Sequence, residues 1–338
     1  MKQAWLMPIY FLAALVLSCL PNTIGVAMAL TEPQTGPNIA QTPVDYDAWI
    51  YPDAAGAMQT VATHSDLNAI KAEYLHIEDD GSLTQFNQSE EYPNGYSPQN
   101  VQILKEHSRG QYITISGSPE GTALAMQNGK TIPGIVNFAS DIGFNVELDW
   151  EDFGSWTPEY YQQFKTFLGS LHQQLQDRGL HLMVDGPPIY DQTSQDWYQW
   201  KYEEVAPLVD YVVMMVYDNQ YDTGAGNPIA PVDWSLNCMK WLKDKAGSKG
   251  IAGVAAYGYT GQNGRIAVNT SDGVKRRLTT LASSLPTRNA AGELVVNNGD
   301  SFYDYADTQT MKVRLHQVEQ SGLTRLSVWS LGDNPWFE

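Results

Sequence analysis

The stretch FNVELDWEDF, residues 144–153, places Glu147, Asp149 and Glu151 at alternate positions among apolar neighbours. In a β-strand, side chains at i, i+2 and i+4 share one face. The three acids then stand together, and Val146, Leu148 and Trp150 share the opposite, wholly apolar face. An unpartnered carboxylate is costly to bury, and neighbouring carboxylates raise one another's affinity for protons. A strand built this way is expected where its acids perform chemistry.

Working outward, the same chain offers seven more β-like runs: 46–52, 72–79, 111–117, 180–186, 210–218, 250–259 and 323–332. Helix candidates alternate with them. In 159–179, Phe164, Phe167, Leu168, Leu171 and Leu175 recur at helical spacing, with Gly179 as the stop. Segments 232–247 and 307–322 read the same way. Eight β-runs alternating with helices predict an α/β fold, a (β/α)8 TIM barrel. The connection 260–322 is too long for one helix and predicts a small insertion between strands 7 and 8. A doubly wound open sheet is the competing architecture, but the sequence has no Gly-rich nucleotide turn.

The chain has 338 residues, 43% hydrophobic, and a formal net charge of −18. That charge disfavours nucleic acid and anionic membrane surfaces as partners. The 10 Trp and 19 Tyr exceed what packing usually asks for, and fit a carbohydrate cleft. Lys2 and the apolar run after it, ending near Ala27-Met28-Ala29, predict a signal peptide over 1–29. The run Ser18-Cys19 leaves a lipoprotein anchor as the lesser alternative. Residues 30–44 read as a linker, and 45–338 as the barrel domain. With Cys19 removed, Cys238 stands alone as a small buried residue, and no metal-ligand cysteine pattern exists. The six His are scattered, so the fourth-strand acids gain no His at metal-ligand spacing, and neither a metal nor a cofactor is expected. A monomer is expected.

Active sites of such barrels lie at the C-terminal ends of the strands. Glu151, Asp185, Tyr217, Asp218, Tyr257 and Trp329 converge there. At these residues the sequence resembles family 18 of the glycoside hydrolases. VELDWE resembles the family's fourth-strand signature Asp-Gly-x-Asp-x-Asp-x-Glu, and MMVYDNQ its sixth-strand Met-x-Tyr-Asp. GVAAYGY and LSVWSLGDNP are similar to its seventh- and eighth-strand elements. DDGSL and YGY look most like the bacterial branch with the spore-cortex-lytic enzymes. The resemblance runs over roughly 45–336.

That resemblance implies roles position by position. Glu151 matches the general acid, and Asp149 the carboxylate that orients the substrate's N-acetyl group so that its carbonyl oxygen attacks the anomeric carbon. Tyr217 matches the hydroxyl that holds the acetamido oxygen. Asp218 matches a polar contact to sugar, and Trp329 the ring beneath it. Tyr257, Asp185 and Glu147 join the expected cleft residues. Trp156, Trp197 and Trp200, in or near loops, are candidate sugar platforms. The implied protein is a secreted hydrolase of β-linked N-acetylglucosamine polymers, chitin-type or peptidoglycan; the alternative is a chitinase-like carbohydrate binder with little turnover. Two departures stand out. Phe144 and Asn145 replace Asp-Gly, which puts proton shuttling deeper in the barrel in doubt. Glu147 replaces the middle Asp and is expected to share a proton or hydrogen bond with Asp149.

Overall fold

The computed structural model describes residues 43–63, 67–224, 226–262, 265–280, 285–299 and 301–337. The expected signal peptide, and the expected linker up to residue 42, lie outside the described residues. Eight parallel strands form a closed ring: β1 (Asp45–Ile50), β2 (Leu67–Ile77), β3 (Ser108–Gly117), β4 (Asn145–Asp149), β5 (Leu182–Gly186), β6 (Tyr211–Met215), β7 (Gly250–Ala255) and β8 (Arg325–Trp329). Each pairs with its successor, and β8 pairs with β1 to close the barrel. Every expected β-run overlaps one of these strands. The run expected to begin at Ala72 extends back to Leu67, a difference with consequences for the site.

The ring is closed because each strand has two buried faces. On β4 the outer set, Phe144, Val146, Leu148 and Trp150, is excluded from solvent against the helical layer. Trp150 meets Phe164 and Phe167 at ring-centroid distances of 5.6 and 5.2 Å. Those rings belong to helix Pro158–Gln176, which buries the apolar face that its spacing predicts. Its start is fixed by Pro158 in the first turn and by the Thr157 hydroxyl, which accepts from the Tyr160 amide, two standard helix-initiating devices. Gly179, at φ +69°, supplies the left-handed turn that brings the chain back toward β5.

Between β7 and β8 the chain inserts a five-stranded antiparallel sheet, spanning Gly258–Gln262 to Ser301–Tyr305, and one helix, Ser271–Thr280. The last part of the 260–322 connection is a separate element. Helix Thr308–Ser321 packs beside helix Val232–Ala246 in the barrel's outer layer, so the inserted sheet ends at Tyr305.

Trp150 fills the space between β4 and its helix, so Trp150→Ala leaves a cavity there. It should cost about 3–5 kcal/mol in urea unfolding. A loss under about 1 kcal/mol, within the range of ordinary surface changes, would mean that this contact does not hold the strand.

Candidate active site

The inward face of β4 carries Glu147 and Asp149, and Glu151 follows at the strand's C-terminal end. The three environments differ sharply. Glu147 is 0% exposed, and all its hydrogen bonds come from protein donors. Its Oε1 accepts from Lys71 Nζ at 2.6 Å. Its Oε2 accepts from Trp49 Nε1 at 2.9 Å and from Thr114 Oγ1 at 2.6 Å. Lys71 is also fully buried, and its ammonium lies 3.2 Å from the centroid of the Trp49 ring.

Asp149 stands one step nearer the mouth, 7% exposed, with Oδ1 lacking any hydrogen-bond partner. Burial pushes its carboxyl well above the ordinary range; Glu151, Glu147 and Glu73 push the same way, and Lys71 opposes them. Glu151 is exposed at the cleft mouth, although protein surrounds its carboxyl group. Burial first, then the Asp218 charge, push it up to about 7, against the pull of a hydrogen bond with Asp149.

The Tyr217 side chain faces this pair: after burial, the charges of Asp149 and Glu151 contribute most to raising its hydroxyl. Asp218 follows in the left-handed region at φ 65°, a conformation that aspartate tolerates better than most residues. Its Oδ1 accepts from Tyr257 Oη and, at 2.5 Å, from Tyr259 Oη. A cavity of about 240 Å³ is lined by Glu151, Tyr217, Asp218, Met215, Tyr198 and Phe153, among others. A larger cavity of about 790 Å³ lies on the inserted sheet, between Arg265, Arg277 and Tyr303, and none of these carboxylates lines it. Glu151 and Asp218 line the smaller one.

Trp329 ends β8 edge-on to Trp49 and Tyr51, at centroid distances of 5.4 and 4.8 Å. Asp185 is placed elsewhere than at a cleft wall or a turn. It points into the barrel at 1% exposure, with its carboxyl beside that of Glu147 and no basic or amide donor on either oxygen. Burial and the Glu147 charge raise it well above the ordinary range. Glu147 likewise lies below the cleft floor.

Three expectations change. Phe144 faces outward, stacked on Tyr74 at 6.2 Å; an acid at that position would not have reached the interior, so its loss leaves the inward acids undisturbed. Glu147 has its oxygens taken by Lys71, Trp49 and Thr114 rather than by Asp149. Trp156 and Trp200 are buried in one aromatic cluster with Phe153 and Phe164, which removes them as sugar platforms; Trp197 is 72% exposed.

Lys71, Glu73, Tyr51 and Thr114 escaped the sequence reading. Glu73 accepts from Ser116 Oγ, itself 2.7 Å from His76 Nδ1. Its charge and that of Asp149 are among those that raise the Tyr51 hydroxyl, after burial. The available signal was Lys71-x-Glu73 inside an apolar run, the same alternation as on β4.

Comparison with known proteins agrees with the fold. The description "Glycosyl hydrolases family 18" matches residues 49–334. A chitinase from Chromobacterium violaceum superposes with a TM-score of 0.72 at 18% identity, over 86% of this chain and 95% of that one. The spore cortex-lytic enzyme SleL of Bacillus megaterium gives 0.69 at 16% identity, over 88% of this chain and 72% of that one. The uncharacterized glycosylase YvbX of Bacillus subtilis is 23% identical over 197 residues, 54% of this chain. The match spans 56% of that relative's length.

Glu151 binds its proton more tightly in the native chain, at about 7, than at the ordinary 4.5. Between those values the folded state holds more protons than the unfolded one, so this group makes stability fall as pH rises. Glu151→Gln removes the titration and should gain Tm relative to wild type through that window. A Tm difference that stays flat with pH would show that Glu151 does not titrate there.

Proposed function

The chain belongs to glycosyl hydrolase family 18, and from that premise we propose a secreted, retaining glycosidase that cleaves β-linked N-acetylglucosamine polymers, chitin-type or peptidoglycan. The observation that carries this reading is the Asp149–Glu151–Tyr217 group at the C-terminal mouth of the barrel. Glu151, with its proton held to about 7, is suited to protonating a leaving glycosidic oxygen near neutral pH, where a general acid works best.

The nucleophile is the substrate's own acetamido oxygen. Of the neighbouring carboxylates, Glu147 is engaged by Lys71, Trp49 and Thr114, Asp218 by two tyrosine hydroxyls and Glu73 by Ser116, and Asp185 is buried inside the barrel beside Glu147. Asp149, with one oxygen free of protein partners, accepts the acetamido N–H and holds the group in line. Tyr217 Oη donates to the acetamido oxygen. As that oxygen attacks the anomeric carbon, Glu151 passes its proton to the departing sugar. Glu151, then ionised, takes a proton from the water that opens the cyclic intermediate, which leaves the anomeric configuration retained. Trp329 supports the reacting sugar, beside Tyr51.

Glu151→Gln should keep the fold and sugar binding yet lower turnover on chitooligosaccharides or purified peptidoglycan by roughly 10²-fold or more. Near-normal turnover, followed by mass analysis of products, would remove Glu151 from the reaction. The acetamido mechanism has its own test. A thiazoline mimic of the cyclised intermediate should inhibit strongly, and polymer de-N-acetylated at the cleavage position should resist hydrolysis. Efficient cleavage of fully deacetylated polymer would overturn it.

A further inference from the structure

The barrel interior holds a lysine that none of these steps uses. Lys71 lies on β2 opposite Trp49 in the β1–β2 register, with no exposed surface. Besides Glu147 and the Trp49 ring, its ammonium approaches only the Met183 sulfur, at 3.9 Å, among the described contacts. An ammonium so enclosed needs a permanent anion beside it. Glu147 has the complementary constraint. Three donors, an ammonium, an indole N–H and a hydroxyl, converge on its two oxygens, so a proton on either oxygen would point at another donor.

We infer that Lys71 is a positioning residue that holds Glu147 as a fixed anion, so that the mobile proton of the site is confined to Asp149 and Glu151. The inference rests on the reading of those two residues as the catalytic pair. It makes the fourth-strand acids a two-member proton store above a neutral ion pair, instead of a three-member relay.

The groups around the pair are few enough to name. β1 contributes Asp47 and, just past its end, Tyr51; β2 contributes Lys71 and Glu73, the turn after β4 Asp152, β5 Asp185, and the turn after β6 Tyr217 and Asp218. β8 contributes Arg325, which bonds Asp47 at 2.7 Å. Tyr112 of β3 lies deeper, in the apolar layer with Trp49 and Met183. Lys71 is the cation whose field opposes the upward push on both Asp149 and Asp185. Arg325 is engaged by Asp47 at the other end of the barrel. Removing Glu147 therefore leaves one net positive charge under Asp149, whereas removing Lys71 leaves Glu147 without the cation that holds it ionised.

The test follows the carboxyl titration of the substrate-free protein by ¹³C NMR, together with the pH profile of kcat. Glu147→Gln leaves the Lys71 charge uncompensated and should move the titration of the Asp149–Glu151 pair down by roughly one pH unit, the scale of a single buried charge nearby. Lys71→Met should release Glu147 to titrate, so that a third carboxyl joins the pair. The double variant should return close to wild type, and the basic limb of kcat should follow each shift. A Glu147→Gln titration that stays put or rises, or a Lys71→Met chain in which Glu147 does not titrate, would reduce Lys71 to a space-filling residue. Should Lys71→Met fail to fold, the near-isosteric Glu147→Gln decides alone: an unmoved or raised titration overturns the inference. If the titrations shift as expected while wild type cuts no N-acetylglucosamine polymer, the charge assignment stands and the proposed reaction falls.

Discussion

The site depends on an imbalance of charge inside a closed barrel. Such a ring is ordinarily filled by layers of branched apolar side chains. Here one layer is apolar, built on Trp49, Ala69, Tyr112, Met183, Val213 and Ile251, and acids and bases crowd around it. Two cations answer two of the carboxylates: Arg325 pairs with Asp47, and Lys71 with Glu147. Asp149, Asp185 and Glu73 have no ion-pair partner among the described residues. A low-dielectric interior disfavours the charged form of an unmatched acid, so each of these groups is pushed toward holding its proton more tightly. All three are raised above the ordinary range with burial as the leading cause.

That imbalance ties stability to chemistry. Each unmatched acid penalises the folded state as pH rises, and apolar residues of similar volume would relieve the penalty. The arrangement concentrates the cost at the C-terminal mouth, where Asp149 meets Glu151 and Tyr217. Deeper down, Lys71 matches Glu147 and every Glu147 oxygen is occupied, with Asp185 the one unmatched acid beside them. The gradient runs from a fixed pair at the floor to labile protons at the opening, the direction in which a proton must leave for a substrate.

How much of this was legible in the sequence follows from the range of the signals. Strand periodicity is local, so the alternation Glu147-x-Asp149-x-Glu151 was readable, as was the apolar Trp150 face. The eight-strand barrel followed from the order of such local patterns. Lys71 was not readable, because its meaning is non-local: Glu147 lies 76 positions away, brought near by ring closure and strand register. A lysine in isolation reads as solvent-exposed, and beginning the second run at Ala72 left it outside the strand altogether. Trp156 and Trp200 misled for a related reason. The large ring that suits a sugar platform also suits a core, and only the packing of helix Pro158–Gln176 decides which.

The inserted sheet is part of the same argument rather than an appendage. Glu293 is fully buried and accepts from the Ile229 and Ala230 amides at 3.1 and 3.0 Å, which ties the insertion to the chain segment that follows β6. Arg314, on the barrel helix Thr308–Ser321, binds the same carboxylate at 2.9 Å and so anchors it from below. From the first inserted strand, Tyr259 reaches Asp218, joined there by Tyr257 from the end of β7. Asp218 is thus held by hydroxyls that the insertion and β7 supply, and the next residue, Asn219, donates its amide to Ile229, a residue whose own amide Glu293 holds. Because the Asp218 charge is, after burial, the leading cause that raises Glu151, the insertion acts on the acid at one remove. Its geometry sets where a neighbouring negative charge stands, and hence how firmly Glu151 keeps its proton.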